Sequence, residues 1–443
     1  MNHDQQPTMS TSTGTVCPAL TLPVEITSEI FLCCASPTSV TSEIWNPFNN
    51  LPVLLTQICR EWRLIALSTP KLWSDIHLQF GGRYGRRTGH IDLWWVSFLE
   101  AWFSRAQDQP LTMVISNLNH PDPDEGLVTL LDSYRRQWRD LTIKLPFDQF
   151  YRFAPNEELP MLERLALDTN RIPRVVQIPI TTFQDAPKLN HVFLGRHFRP
   201  SHFTLPWLQL TSIELTAALA EDCLECLRQA PRLVTCSFDI QAGGQFLTPV
   251  SPLPRLISLT LSGATPTAIF PFTTMPGIEE LNLVGRSLSR DELIHLNFFM
   301  SRCSCRLRRL RLHFISEILT TPAIELLEAL PSLESLELAA TEASTIATLF
   351  SSLCRQSFLP QLQYLSLSHH RISDGNMRVM FEGMALLLVR RCVATPEHVQ
   401  LQSFFLEIES EQTAPPPWVR QRLQELVAQG MVLDIGNRRE RWT

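Results

Sequence analysis

The sequence predicts an α/β protein: a short all-α segment near the N-terminus, then an irregular solenoid with parallel strands on a concave face and helices on a convex face. Three observations carry this prediction. Apolar residues between Leu22 and Ile76 recur every three to four positions, as on a helix. From Leu159 onward a Pro-x-Leu-x-x-Leu-x-Leu unit returns nine times, its last two apolar residues alternating as in a strand. Between several returns lie amphipathic stretches with helix-start signals.

The bulk numbers suit a folded protein. Apolar residues make up 44% of 443 and charged residues 19%, enough for a sizeable core and too apolar for a disordered chain. A net charge of −6 gives no reason to expect nucleic acid or an anionic membrane as partner. Eleven cysteines are too scattered for a disulfide framework. The start MNHDQQPTMS lacks the basic and apolar regions of a signal peptide, and no apolar run approaches a membrane span. These features predict a protein of the cytoplasm or nucleus, with most cysteines acting as small buried hydrophobes.

In chain order, residues 1–16 are rich in Ser, Thr and Gln and read as a disordered tail. Residues 17–78 form the helical segment. Leu22, Ile26 and Ile30 sit four apart, with Pro23 in the first turn of a short helix. Leu54, Leu55, Ile58, Cys59, Trp62, Ile65 and Ala66 line one face of a second helix that Pro70 ends. Two such short helices need a partner surface to bury their apolar faces. Cys33 and Cys34, at the end of the first, read as packing residues.

These residues resemble the F-box family, specifically the F-box-like proteins abundant in mushroom-forming fungi. Its opening Leu-Pro-x-Glu-Ile is Leu22-Pro23-Val24-Glu25-Ile26 here, and its central block is Ile58-Cys59-Arg60-Glu61-Trp62-Arg63. The closing block runs from Ala66 through Ser68-Thr69-Pro70 to Leu72-Trp73, and the link from Cys33 to Asn50 is longer than in the compact F-box. The resemblance implies docking on a Skp-type adaptor, and through it on cullin. It implies Leu22, Pro23, Ile26, Ile30, Leu54, Ile58, Trp62, Ile65, Leu72 and Trp73 as the adaptor-binding set, counting the core that supports the contact.

Residues 79–158 connect this segment to the repeats. Gly81 to Thr88 reads as an exposed loop, since its glycine spacing does not make a phosphate loop. Leu93, Val96, Leu99 and Phe103 give the next segment a helical face, which Trp94, Trp95 and Trp102 broaden, and the aromatic stripe reads as core. Strand-like stretches follow at Leu111 to Leu118 and Arg139 to Leu145. Ser104-Arg105, then Pro110-Leu111-Thr112, then Trp138-Arg139-Asp140-Leu141 resemble the same fungal family.

Residues 159–410 hold the repeats. Their register residues are Leu162, Leu189, Leu210, Leu233, Leu256, Ile278, Leu307, Leu333 and Leu362, spaced by 27, 21, 23, 23, 22, 29, 26 and 29 residues. That period and pattern are the signature of leucine-rich repeats. A less regular unit precedes them at Trp138, Leu141 and Ile143, and another follows at Leu401, Phe404 and Leu406. Ser289-x-x-Glu292 has the form of a capping box, and Thr321-Pro322 opens another helix. The asparagine that regular repeats carry after the strand is present at Asn170 but replaced by Arg286, Thr341 and His370 elsewhere, which predicts irregular curvature. Residues 411–443 predict a helix closed by Gly430 and a short strand that caps the last unit, an ending that also resembles the fungal family.

No catalytic set stands out, and no cofactor or metal is expected. Cys223-x-x-Cys226 and Cys303-x-Cys305 lack second ligand pairs, and His369-His370 reads as a surface turn. The acid pairs Glu157-Glu158 and Glu279-Glu280 read as solvated. Alternation sends Arg309, Arg311 and His313 to the open sheet face, where an acidic or phosphorylated segment would suit them. The same alternation nominates His191, Phe193, Glu214, Asp239, Asn282, Glu337 and Tyr364 as target-binding positions, with Phe193 and Tyr364 as aromatic anchors; Arg164, Asp168, Ser212, Thr235 and Glu280 share the face. The expected function is the substrate-recognition subunit of an SCF-type (Skp–cullin–F-box) ubiquitin ligase, not an enzyme itself, holding an unknown target protein by its repeats. The alternatives are a repeat scaffold with no ligase role and an enzyme with dispersed catalytic residues.

Overall fold

The structure is a computed structural model. It describes residues 20–35, 50–79, 93–116, 125–169, 178–242, 248–286, 289–314, 321–339, 343–355, 357–369, 377–396, 398–408, 414–437 and 440–442. The expected tail, the Gly81–Thr88 loop, most of the Cys33–Asn50 link, Asn170, Thr341 and His370 lie outside these residues, as do the side chains of Leu93, Trp94, Trp95 and His369. The chain is a mixed α/β protein of two compact units, Met1–Ile143 and Lys144–Thr443. This division falls inside the segment read as a connector.

The first unit begins with helices α1 (Val24–Cys34), α2 (Leu51–Ile58) and α3 (Arg60–Leu67). The sequence reading put one helix over the last two, and the structure corrects it. Cys59 is extended (φ −153°, ψ 173°) and its thiol accepts the Trp62 N–H at 3.4 Å, so it caps α3. Arg63 Nε donates to the Thr56 carbonyl at 2.5 Å across the break. The turn moves the apolar faces: Leu55 and Ala66 are buried while Leu54 and Ile58 are not. Helix α1 packs on α3 through Phe31 and Trp62, whose rings stand edge-on at 5.0 Å.

A one-turn 3-10 helix at Pro70–Trp73 then feeds strand β1 (Asp75–Gln79), where Ile76 and Leu78 face inward. The sequence reading took the segment to residue 78 as wholly helical, and the strand corrects that too. Strand β1 pairs in parallel with β2 (Leu111–Ser116), and β3 (Trp138–Lys144) lies beyond β2. Helices α4 (Leu93–Ala106) and α5 (Glu125–Ser133) fill the crossovers. Trp102 lies in the core against Trp73 at 4.8 Å, and the Trp73 indole N–H reaches the Ala66 carbonyl at 2.8 Å. The Arg105 guanidinium covers the Trp73 ring at 4.6 Å.

The second unit is an open sheet of eleven parallel strands in sequence order. They are β4 (Arg164–Asp168), β5 (His191–Leu194), β6 (Ser212–Leu219), β7 (Thr235–Ala242), β8 (Ser258–Gly263) and β9 (Glu280–Gly285), then β10 (Arg309–Phe314), β11 (Ser335–Ala339), β12 (Tyr364–His369), β13 (Ser403–Ile408) and β14 (Val432–Asn437). Each pairs with its sequence neighbours in parallel, inward apolar residue beside inward apolar residue. All nine register residues from Leu162 to Leu362 are at most 2% exposed, so the spacing read from the sequence is the spacing of the core.

Helices join only some of the strands. Helix α6 (Ala220–Gln229) follows β6, and α7 (Arg290–Cys303), α8 (Thr321–Glu328), α9 (Ala343–Leu353), α10 (Met377–Arg391) and α11 (Pro417–Ala428) follow β9 to β13 in turn. The other crossovers among the described residues hold 3-10 turns at most. From β7 to β9 the reason is proline: Pro249, Pro252, Pro254, Pro266, Pro271 and Pro276 punctuate the two links. The capping box at α7 forms as expected, with reciprocal Ser289 and Glu292 hydrogen bonds of 3.2 and 2.8 Å.

Candidate functional site

The first unit exposes apolar surface where its helices turn outward. Leu20, Leu22, Val24, Ile26, Ile30, Leu54, Ile58, Leu64 and Leu67 are nine of the 22 exposed large apolar residues described in the chain, gathered within 48 positions. Leu22 is 43% exposed, Ile26 50%, Ile30 44% and Ile58 59%. Pro23, the N-cap of α1, is exposed as well. The buried residues of α1 are instead Thr27 and Phe31, with the Thr27 hydroxyl bonded to the Pro23 carbonyl at 3.1 Å. Helix α1 therefore turns Thr27 and Phe31 inward and leaves the branched aliphatic side chains of Val24, Ile26 and Ile30 in water.

The predicted adaptor-binding set splits accordingly. Leu22, Pro23, Ile26, Ile30, Leu54 and Ile58 are exposed, and Trp62 and Ile65 are half-buried. Leu72 and Trp73 are 3% and 0% exposed, so within that set they lie in the supporting core behind the helices. Leu64 and Leu67 were missed, because a single continuous helix would have turned them away from that face. Cys33 and Cys34, read as packing residues, are exposed in the last turn of α1, beyond the buried stripe that ends at Phe31.

The second unit presents the outward side chains of its sheet. Alternation is kept: His191, Phe193, Glu214, Asp239, Asn282, His313, Glu337 and Tyr364 are half-buried, and Arg309 and Arg311 are exposed. The register joins Phe193, Glu214, Ser237, Thr260, Asn282, Arg311, Glu337, Ser366, Phe405 and Asp434 into one row across the strands. Tyr364 and Phe405 lie 5.3 Å apart on this face. Phe405 went unread, although alternation with inward Phe404 and Leu406 points it outward.

The basic cluster is not a cluster of available cations. Arg309 is hydrogen-bonded to Glu280 on one neighbouring strand, and Arg311 forks onto Glu337 on the other at 2.6 and 2.8 Å. That pairing raises the Arg311 pKa. His313 lies 3.9 Å from the same Glu337 and His191 3.7 Å from Glu214. Glu279 meets Arg308, so neither acid of the 279–280 pair is simply solvated. The expectation of a face suited to phosphate therefore fails on charge: cross-strand partners already neutralise the guanidinium groups.

Chemistry elsewhere is muted. Cys223, Cys226 and Cys236 are buried, and burial pushes their thiols up, which disfavours thiolate chemistry. Of the ten cysteines described, four are buried, four half-buried and two exposed, so the expectation that most are buried does not hold. Among the described residues no group of three or more His, Cys, Asp or Glu is placed to hold a metal ion, and no helix is long and apolar enough to cross a membrane. Compared with known proteins, the chain matches no family model and no curated protein.

Proposed function

We propose that this chain is the substrate-recognition subunit of an SCF-type ubiquitin ligase. Its F-box-like helices would dock on a Skp-type adaptor, and leucine-rich repeats in the second unit would hold the target protein. The observation that carries this reading is the aliphatic surface of α1–α3, where Leu22, Ile26, Ile30, Leu54 and Ile58 stand in water. Burying one such side chain at an interface contributes roughly 1.5–3 kcal/mol, so several together give a partner of matching apolar shape a strong hold. The contribution to catalysis would be proximity alone, with the chemistry supplied by the conjugating enzyme.

The test is adaptor capture by the full chain. Ile26→Glu with Ile58→Glu places two charges in that contact and should weaken adaptor binding by about 30-fold or more, the effect of losing one hot spot of ~2 kcal/mol. Both side chains are at least half exposed, so the far-UV circular dichroism and melting profile should stay as they are. Undiminished capture by the double variant would sink the ligase assignment and favour a repeat scaffold.

A further inference from the structure

The open face of the second unit is acidic. Outward positions of β4–β14 carry Asp168, Glu214, Asp239, Glu280, Glu337, Glu407 and Asp434 against Arg164, Arg309 and Arg311, with no lysine; Lys144, the last residue of β3, adds one cation at the edge of the unit. Glu280 and Glu337 engage two of those three arginines, and Arg441 engages Asp434 at 3.2 Å, which leaves Asp168, Glu214, Asp239 and Glu407 as the excess. Among the described residues the Glu407 carboxylate makes no hydrogen bond or ion pair, and Glu214 meets only the His191 ring, at 3.7 Å. A long face with carboxylates in excess attracts cations and repels phosphate.

Aromatic rings sit beside the carboxylates. Phe193 is paired in register with Glu214, and Phe405 with Asp434. Glu407 lies two positions after Phe405, on the same side of the strand, and Tyr364 stacks obliquely on Phe405 at 5.3 Å. A ring face next to a carboxylate suits a lysine or arginine side chain, which gains cation–π attraction and an ion pair together. Between the two aromatic positions the row is small and polar at Ser237, Thr260, Asn282 and Ser366, and crosses the Arg311–Glu337 ion pair, whose charges are matched.

We propose that this face receives an extended, lysine- or arginine-rich protein segment. One cationic side chain lies at Phe193 and Glu214, and another at Tyr364, Phe405 and Glu407. The eight strand steps between β5 and β13 span about 38 Å at ~4.8 Å each, the reach of about eleven extended residues. This inference rests on the target-holding half of the proposed function and names the chemistry of the target.

The test is fluorescence anisotropy on the full chain with labelled peptides of about twelve residues. One peptide alternates lysine with serine, one carries glutamate in place of lysine, and one carries phosphoserine. The lysine peptide should bind, and binding should weaken as salt rises. Phe405→Ala, and Glu214→Lys with Glu407→Lys, should each weaken it about tenfold or more. Glu100→Lys with Glu157→Lys makes the same change in net charge at exposed positions off the face, and should leave binding within about twofold. Failure of the lysine peptide to bind, tighter binding of either anionic peptide, or equal loss in the off-face control would overturn the proposal. Adaptor capture is measured on the same preparations, so loss of the ligase reading and loss of this one register separately.

Discussion

Lowering the pH from 7.5 to 5 should destabilise the second unit through one histidine. His202 is 8% exposed, with the Phe147 ring edge-on to it at 5.4 Å. Its Nδ1 accepts the Arg199 N–H at 3.2 Å, a bond that protonation would break. Burial first, and the Arg199 charge second, lower its pKa to about 4. The unfolded chain takes up the proton near 6.5, so the contribution of neutral His202 is whole above that value and is lost as pH falls toward 4. At pH 5 the loss works out at about 2 kcal/mol, approaching about 3 kcal/mol below pH 4. Guanidinium denaturation of the full chain at both pH values, compared with His202→Gln, isolates this term because the other histidines are common to both proteins. The variant should show about 2 kcal/mol less pH dependence in the transition of this unit. Identical pH dependence in the two proteins, or an imidazole seen by NMR to titrate near 6.5, would refute the reasoning.

Two further outcomes follow from buried geometry. Arg391 on α10 is 3% exposed and donates to the carbonyls of Leu353, Phe358 and Leu359, the last in a left-handed turn at φ 45°. Arg391→Met should cost about 3 kcal/mol in chemical denaturation, because it takes the donor from the buried Leu353 and Phe358 carbonyls and leaves the Leu359 carbonyl with the Leu362 N–H alone. A methyl group added at Gly195 would fall on the carboxyl group of Asp168. Gly195→Ala should therefore cost about 1–3 kcal/mol, and Asp168→Ala in the same chain should restore much of it; additive losses in a double-mutant cycle would deny the contact.

The sequence disclosed what repeats and hid what depends on register or a single bond. The positions from Leu162 to Leu362 were readable because a strand inside a stack must bury every second side chain. The opening helix was readable from Pro23 and the spacing of Ile26 and Ile30, yet which face it buries was not. Thr27 and Phe31 go inward because the partner position on α3 is an indole, not an aliphatic groove. The break at Cys59 left no local sign, since a thiol is a weak acceptor and an unusual cap. The pairing of Arg309 with Glu280, 29 residues away, was invisible until the strands were set side by side. Within one segment the arginines read as a binding cluster, and only the neighbouring strands show them neutralised. Among the described residues the helix-free crossovers from β7 to β9 were legible in the prolines that punctuate them.

The order of the strands in the second unit has a consequence for how such a surface can change. Each strand of β5–β13 is hydrogen-bonded to the strands before and after it in the chain. A substitution at an outward position such as Thr260 or Ser366 alters one rung of the face and leaves the leucines beneath it in place. A unit gained or lost requires only one new seam, and moves one end of the row by a single step of ~4.8 Å. Selectivity in this architecture is modular: it can drift rung by rung, or be lengthened by duplication, without the rest of the sheet being rebuilt.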